Sequence, residues 1–524
     1  MARVSRQAKV RNLLSLFFIL GFLVPAQASR AATWDGGATP PDNNWSTGTN
    51  WVGDAAPPPT PAPGVDLIFP PAASQLNNVN NLGEFFCNTL TLSGSGYTLG
   101  TDGDSGLSLS GNILASHSSG ANVINMGITL LDDILLTVQN EGATLTINGE
   151  FDVEFNLTID GNGDLNLSSG AESLEGSGNV IKNGSGTLTL AGDSTGFGGT
   201  ITVNEGVLAI DGVLGEAPDS VGSLTLDDGT LLQGDGETVF EVTVNPGAEV
   251  RPGSSPGTLS VGNIVFEDGS LFSIEINGPV VGTEYSSLEA TGTVTLNNPL
   301  LRIALGPAVT PGSEFRIIDN GSGSATAGAF DDLPEGQTFT LVGIDDIGFS
   351  ITYQGGDGND VVLQSLPTLA IDDVTVQEPG SGTATATFTV FLSEASNDTV
   401  TVDFATQDGS AVAPQDYLEA SGTLTFAPGD TSQTIQVTVN SDGSSEPDET
   451  FFINLFNSTQ AAVAVDQGMG TITESGGGGG GCSLESKGTG SGTSWAFAAL
   501  ILCGLFWRMR RSFFPDLIND RVDQ

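Results

Sequence analysis

The side chains able to do chemistry in this 524-residue chain are mostly carboxylates: 62 Asp and Glu stand against 14 Lys and Arg and one histidine, a formal net charge of −48. Such a surface repels phosphate backbones, so nucleic acid is excluded as a partner, and anionic lipid headgroups are disfavoured. Divalent cations are the natural counter-ions, calcium above all, because it takes hard oxygen ligands. The alternative is that the charge only keeps a long extracellular β-protein soluble. Adjacent acids such as Asp132-Asp133 and Asp345-Asp346 are the residue type a glycosidase uses. Neighbours on a strand point to opposite faces, however, so neither pair is a two-carboxylate site by itself. With His117 the one histidine, a histidine-based triad or a multi-histidine metal site lacks material. Gly253-Ser254-Ser255-Pro256-Gly257 satisfies Gly-x-Ser-x-Gly, but a proline follows the serine and no strand-to-helix context surrounds it, so it reads as a turn. No Gly-rich phosphate loop ends in Lys-Ser or Lys-Thr.

The elements that must carry these groups are framed by the basic residues. Ten of the fourteen lie near the two ends, and the acidic interior keeps only Lys182, Arg251, Arg302 and Arg316. At the start, Arg3, Arg6, Lys9 and Arg11 precede the apolar run Leu13 to Val24, then Pro25 and Ala26-Gln27-Ala28. This is the grammar of a secretory signal over residues 1–28, with Ala28, or the nearby Ala31 and Ala32, as cut sites. At the other end, residues 475–494 form a Gly-rich linker containing Cys482, residues 495–511 an apolar segment edged by Trp495 and Trp507 and closed by Arg508, Arg510 and Arg511, and residues 512–524 a tail. Aromatic edges and trailing arginines suit a membrane interface with the tail on the inner side. Of three cysteines only Cys87 falls in the interior, so a disulfide framework is absent and stability must come from backbone ladders and packed apolar rows.

Glycine, 72 residues in the whole chain, punctuates short alternating segments between the ends such as TLTLSG, GLSLSG, ATLTING, NLTIDG and SLTLDDG. Apolar residues at every second position followed by Gly, Asn or Asp predict half-buried strands and turns. Their recurrence predicts stacked coils: an all-β β-solenoid, right-handed and parallel β-helix-like, over residues 33–254. Trp34, Trp45 and Trp51 read as the core of a cap over its first edge rather than as sugar-stacking platforms. Residues 255–365 stay strand-rich, either as more solenoid or as the start of a sandwich. Within them Gly355 to Leu363, GGDGNDVVL, fits one calcium-binding nonapeptide, but such repeats complete each other's ligand shells only when stacked, and a turn is the better reading. From Thr368 the strands lengthen (TATATFTVFL, VTVDFAT, TIQVTV, ETFFINLF), which predicts an antiparallel β-sandwich.

Three resemblances add to this. Gly176 to Ile210, with Lys182, the Gly184-Ser185-Gly186-Thr187-Leu188-Thr189-Leu190 run, the Gly198-Gly199-Thr200 turn and Asn204-Glu205-Gly206-Val207-Leu208, resembles the autotransporter-associated β-strand repeat, which implies a surface-exposed, passenger-like stalk. The order Gly run, Cys482, apolar segment and Arg cluster resembles the C-terminal sorting tags of bacterial envelope proteins, which implies processing near Cys482. Residues 368–474, through Glu378 in VQEPG, VDFATQDGSA, Asp416-Tyr417, GTLTFAPGD and EPDETFFINL, resemble the Calx-β domain. That resemblance implies calcium at one end of the sandwich, held by Glu378, Asp416, Asp442, Glu446 and Glu449. Ser441 stands where a second acid is expected beside Asp442, and Glu474-Ser475 followed by glycines replaces an acidic run. Fewer charged ligands imply weak binding; the other reading is a metal-free sandwich with solvated loop acids. The expectation is a non-enzymatic protein exported to the bacterial envelope and anchored through its C-terminal segment. It would make adhesive or matrix contact with extracellular polysaccharide or a surface protein. The alternatives are a polysaccharide-acting β-helix enzyme and a calcium module without adhesive role.

Overall fold

The computed structural model describes residues 31–473, apart from 38–41, 59–63, 104–105, 169–172, 216–221, 307–308, 342–346, 442 and 444–445. The signal segment, the Gly-rich linker with Cys482, the apolar tail segment and the Asp345-Asp346 pair lie outside these residues. Among the described residues, no helix is long and apolar enough to cross a membrane.

Alternation becomes a solenoid because each strand buries every second side chain and stacks in parallel on the strand one coil earlier. On one face the inward file runs Ile134, Leu157, Val180, Ile201, Leu224, Val242, Ile264 and Val294, in register from coil to coil and all buried. A second face aligns Leu145, Leu165, Leu188, Leu208, Leu232, Val250 and Phe272. The third face branches off at Phe85–Leu92, whose first half pairs with Leu107–Leu109 and whose second half pairs with Ile113–Ala115. Burial of these rows, at about 25 cal/mol per Å² of apolar surface, is the driving force that parallel ladders alone do not supply.

Polar side chains at the corners and outside form ladders of their own. Asp133 accepts from Asn156, Asn156 from Asn179 and Asn179 from Thr200. Parallel files join Asn148 to Asn125, Asn204 to Asn183, Asn245 to Asp227 and Asn297 to Glu267. The partners are 18 to 30 residues apart, so coil length varies while register is kept. Between two such ladders, the outward file Thr158, Ile181, Thr202, Thr225, Thr243, Val265 and Thr295 is β-branched at every rung, which suits a pleated, half-buried surface.

The first coil is covered by the tryptophans. Trp34, Trp45 and Trp51 are buried and meet edge to face with each other, with Phe69 and with Phe85 at centroid distances of 5.2 to 6.3 Å. Every indole N–H is satisfied: Trp34 donates to the Gln75 carbonyl, Trp45 to Asn78 Oδ1 and Trp51 to the Trp45 carbonyl. They are core, as the cap reading requires.

Residues 255–365 resolve into both a continuation and an ending. Parallel pairing persists through Ala327–Ala329; then Asp360–Leu366 pairs antiparallel with Glu314–Asn320 and Ile347–Gly355, and Ile347–Gly355 with Thr338–Leu341. This antiparallel layer closes the column. Past Pro367 a separate hydrophobic core begins, built by Leu369, Phe388, Val402, Phe426, Val437, Phe451 and Ile453. It lies between a four-stranded sheet (Thr368–Ile371, Thr383–Leu392, Ser432–Asn440, Ala462–Val463) and a five-stranded one (Val374–Gln377, Val400–Asp408, Ser421–Phe426, Glu449–Thr459, Gln467–Thr473). Ala462 donates to the Pro367 carbonyl and faces Gly348 of the closing layer. The eleven-residue strand Glu449–Thr459 runs from the sandwich's far end back to the solenoid side, about 34 Å at the usual rise per residue.

Candidate metal centre

At that far end, residues 409–416 fold back over the start of Glu449–Thr459. Ala411 donates to the Thr450 carbonyl, and Thr450 donates to Ser410 Oγ at 2.8 Å. Asp416 is held from three sides. Its N–H donates to the Val412 carbonyl, its own carbonyl accepts from Asn440, and its Oδ2 accepts from the Val412 N–H at 2.7 Å.

This brings Asp416, Glu446 and Glu449 together, with one carboxylate oxygen from each within 4.8 Å of the others. Asp416 and Glu449 are half-buried and Glu446 is exposed. Ser410, Val412 and Gln415 complete the lining of a cavity of about 460 Å³. Glu378 follows Val374–Gln377 at the same end of the sheet: its N–H donates to the Thr473 carbonyl, and Ile472 beside it pairs with Glu449. It is not one of the three converging carboxylates. Asp442 lies outside the described residues.

Two unit charges 4 Å apart at a protein surface repel by about 4 kcal/mol before salt screens them. No positive side chain of the domain offsets that repulsion, because the sequence contains no Lys, Arg or His between Arg316 and Lys487. The donor set fits a hard divalent cation: calcium binds oxygen at about 2.3–2.6 Å, so one ion can touch oxygens separated by up to about 5 Å, and serine and amide oxygens are acceptable further ligands. Ser410, Val412 and Gln415 were not anticipated, because they contribute through the loop's conformation. Their signal is the turn-forming run GSAVAPQD.

The other candidates are occupied by structural partners. His117 is buried; its Nδ1 accepts from the Asn122 amide, which leaves Nε2–H to donate to the Gly120 carbonyl. In the Gly253–Gly257 turn, Ser254 donates to Asp235 and Ser255 to Glu275. The Ser255 hydrogen bond, with one from Asn277, holds the Glu275 carboxyl below its ordinary range. Asp360 of GGDGNDVVL is buried in the turn joining Ile347–Gly355 to Asp360–Leu366. There it accepts from the Asn320 N–H at 2.9 Å and lies 3.5 Å from Arg316, so the nonapeptide serves as a hairpin turn. In the repeat, Lys182 is buried and donates to the Gly184 and Glu205 carbonyls. Burial lowers its amine to about 8, against the pull of Asp164, Glu205 and Asp160.

Comparison with known proteins agrees with this division. The family described as "Calx-beta domain" matches residues 368–475, and the "Passenger-associated-transport-repeat" matches residues 180–210. Sodium/calcium exchanger 2 of Rattus norvegicus is 44% identical over 61 residues, 12% of this chain and 7% of that protein. Sodium/calcium exchanger 1 of Canis lupus familiaris is 40% identical over 72 residues, 14% and 7% respectively. The chain thus spans a small fraction of the length of these relatives. A solved apo-form Calx CBD1 domain is 27% identical, with 21% of this chain and 97% of that chain covered and a TM-score of 0.19. The all-β chain therefore carries a passenger-associated repeat within its parallel solenoid and a Calx-β domain as its antiparallel sandwich.

Proposed function

We propose that this is an exported, envelope-anchored, non-enzymatic surface protein in which calcium stiffens the Calx-β end from which the chain leaves for its tail. The observation that carries the reading is the convergence of Asp416, Glu446 and Glu449 within 4.8 Å in a domain without a basic side chain. Asp442, which lies outside the described residues, is a fourth ligand in this reading, and Glu378 lends charge from beside the neighbouring strand. An ion here bridges the 409–416 loop, the loop carrying Glu446 and the Glu449 strand. The last described strand, Gln467–Thr473, pairs with that same Glu449 strand, so the bridge sits where the chain departs.

The passenger-type repeat and the acidic, cysteine-poor solenoid support export. The uncharged β-branched file between amide ladders is the surface suited to adhesive contact with extracellular polysaccharide or another surface protein. Calorimetry on the full chain tests the calcium claim: titration with calcium should release saturable heat, and magnesium, which demands tighter octahedral geometry, much less. No calcium heat would remove the claim. Incubation with neutral and acidic glycans tests the non-enzymatic claim: reproducible oligosaccharide release would replace it with a polysaccharide-acting enzyme.

A further inference from the structure

We infer that Asp408 and Tyr417 are positioning residues for the cation site: their hydrogen bond sets the 409–416 loop so that Asp416 faces Glu446 and Glu449 before any ion arrives. The inference rests on the calcium reading above and deepens it.

Asp408 ends the strand Val400–Asp408, immediately before the loop. Its Oδ1 accepts from the Tyr417 hydroxyl at 2.6 Å, immediately after the loop, and from the Ala413 N–H at 3.0 Å, in its middle. One carboxylate oxygen thus ties the beginning, middle and end of the segment that presents Ser410, Val412 and Asp416. Tyr417 is buried. Its ring stacks on Phe451 at a centroid distance of 4.5 Å and an interplanar angle of 18°, and Phe451 lies two residues beyond Glu449 on the same strand. The ring therefore references the Asp416 loop to the strand that bears Glu449.

The arrangement has a physical purpose. Three carboxylates that repel one another would drive the loop away from the strand, and an ion would then have to spend part of its binding energy on ordering it. A hydroxyl bond and a stacked ring, neither of them a ligand, hold the loop against that repulsion, so less binding free energy goes into closure. Tyr417 burial, followed by the Asp408 hydrogen bond, raises the phenol above its ordinary range, so it remains a hydrogen-bond donor at any physiological pH.

The test measures calcium affinity by calorimetry on the full chain, alongside thermal unfolding in chelator. Tyr417→Phe keeps the stack and loses the hydroxyl. It should weaken calcium by about threefold to tenfold, the worth of one hydrogen bond. Asp408→Ala loses both bonds and should weaken it further. Asp408→Asn keeps the accepting oxygen and should remain within about threefold of wild type. If Asp408→Asn loses as much affinity as Asp408→Ala, Asp408 acts by its charge and the positioning role is wrong. If Tyr417→Phe lowers the unfolding temperature in chelator while the folded protein keeps wild-type affinity, the bond is structural only and the inference is likewise overturned. A wild-type chain without calcium heat removes the calcium reading itself, which is a different failure from a wild type that binds and variants that match it.

Discussion

The solenoid and the sandwich handle the same chemical burden in opposite ways. Along the solenoid, carboxylates are spread over the coils and given partners from the chain: Asp133 by Asn156, Asp227 by Asn245, Glu267 by Asn297, Glu249 by Arg251 at 2.7 Å. In the sandwich, the carboxylates of Asp416, Glu446 and Glu449 gather within 4.8 Å where no basic residue exists to meet them. The difference teaches that charge density alone marks nothing in so acidic a chain. What distinguishes the two regions is not whether an acid has a hydrogen-bond partner, since Asp416 has the Val412 N–H, but whether three carboxylates converge with no basic side chain of the domain beside them.

The largest expected effect breaks the solenoid without touching the sandwich. Trp45→Ala empties the centre of the aromatic cap and should cost about 3–5 kcal/mol of solenoid stability, read by urea unfolding followed through tryptophan fluorescence. Its calcium heat should be unchanged, and a lost calcium response would mean that the two regions are not independent. Next comes the converse. At a calcium concentration one hundred times the dissociation constant, the sandwich should gain about 2.7 kcal/mol, lost on chelation or in Asp416→Asn, while hydrogen exchange of the solenoid coils stays the same. A smaller effect belongs to the passenger-type repeat. A methyl at Gly206 would lie 2.6 Å from the Gly184 and Gly186 carbonyls and from Lys182 Nζ, on a backbone at φ +78°. Gly206→Ala should therefore cost about 1–3 kcal/mol by the same unfolding measurement.

Much of this architecture was legible because alternation and glycine turns are local. TLTL after Gly186 buries Leu188 and Leu190 as its pattern requires, and the longer runs after Thr368 became the sandwich strands. What alternation does not encode is the partner. Parallel stacking and antiparallel closure use the same two-residue period, so the point where Glu314–Asn320 turns from one to the other could not be read within residues 255–365. The unequal coils, 18 residues between Asp227 and Asn245 but 30 between Glu267 and Asn297, hid the register as well. At the site, Asp416, Glu446 and Glu449 were accessible through motif resemblance because ligands are conspicuous side chains. Asp408, Ser410 and Tyr417 stand inside the motifs that carry the resemblance but had no role assigned there, since their contribution is a loop geometry that exists only once the Phe451 strand lies beneath it.

The smallest prediction sharpens the comparison from within the solenoid, at an acid the ladders do not relieve. Asp152 lies on Phe151–Asp152, in register with Thr129 and Glu175 of the neighbouring coils. Burial, then Glu154 and Glu150, pushes its carboxyl up to about 6. A carboxyl whose folded pKa exceeds its unfolded one binds more protons folded than unfolded between the two values. Its contribution is therefore favourable below about pH 4 and is lost as pH rises to about 6, leaving the ionised group a net cost at neutrality. Asp152→Asn removes that cost and should stabilise the solenoid at pH 7 by on the order of 1 kcal/mol, after discounting for partial solvent exposure. The gain should shrink between pH 6 and 4 in paired urea titrations of variant and wild type. A gain that did not vary with pH would mean that Asp152 is limited by packing instead of charge. Added calcium should leave the gain as it is, because among the described residues Asp416, Glu446 and Glu449 of the sandwich are the group of three carboxylates that converges on one point.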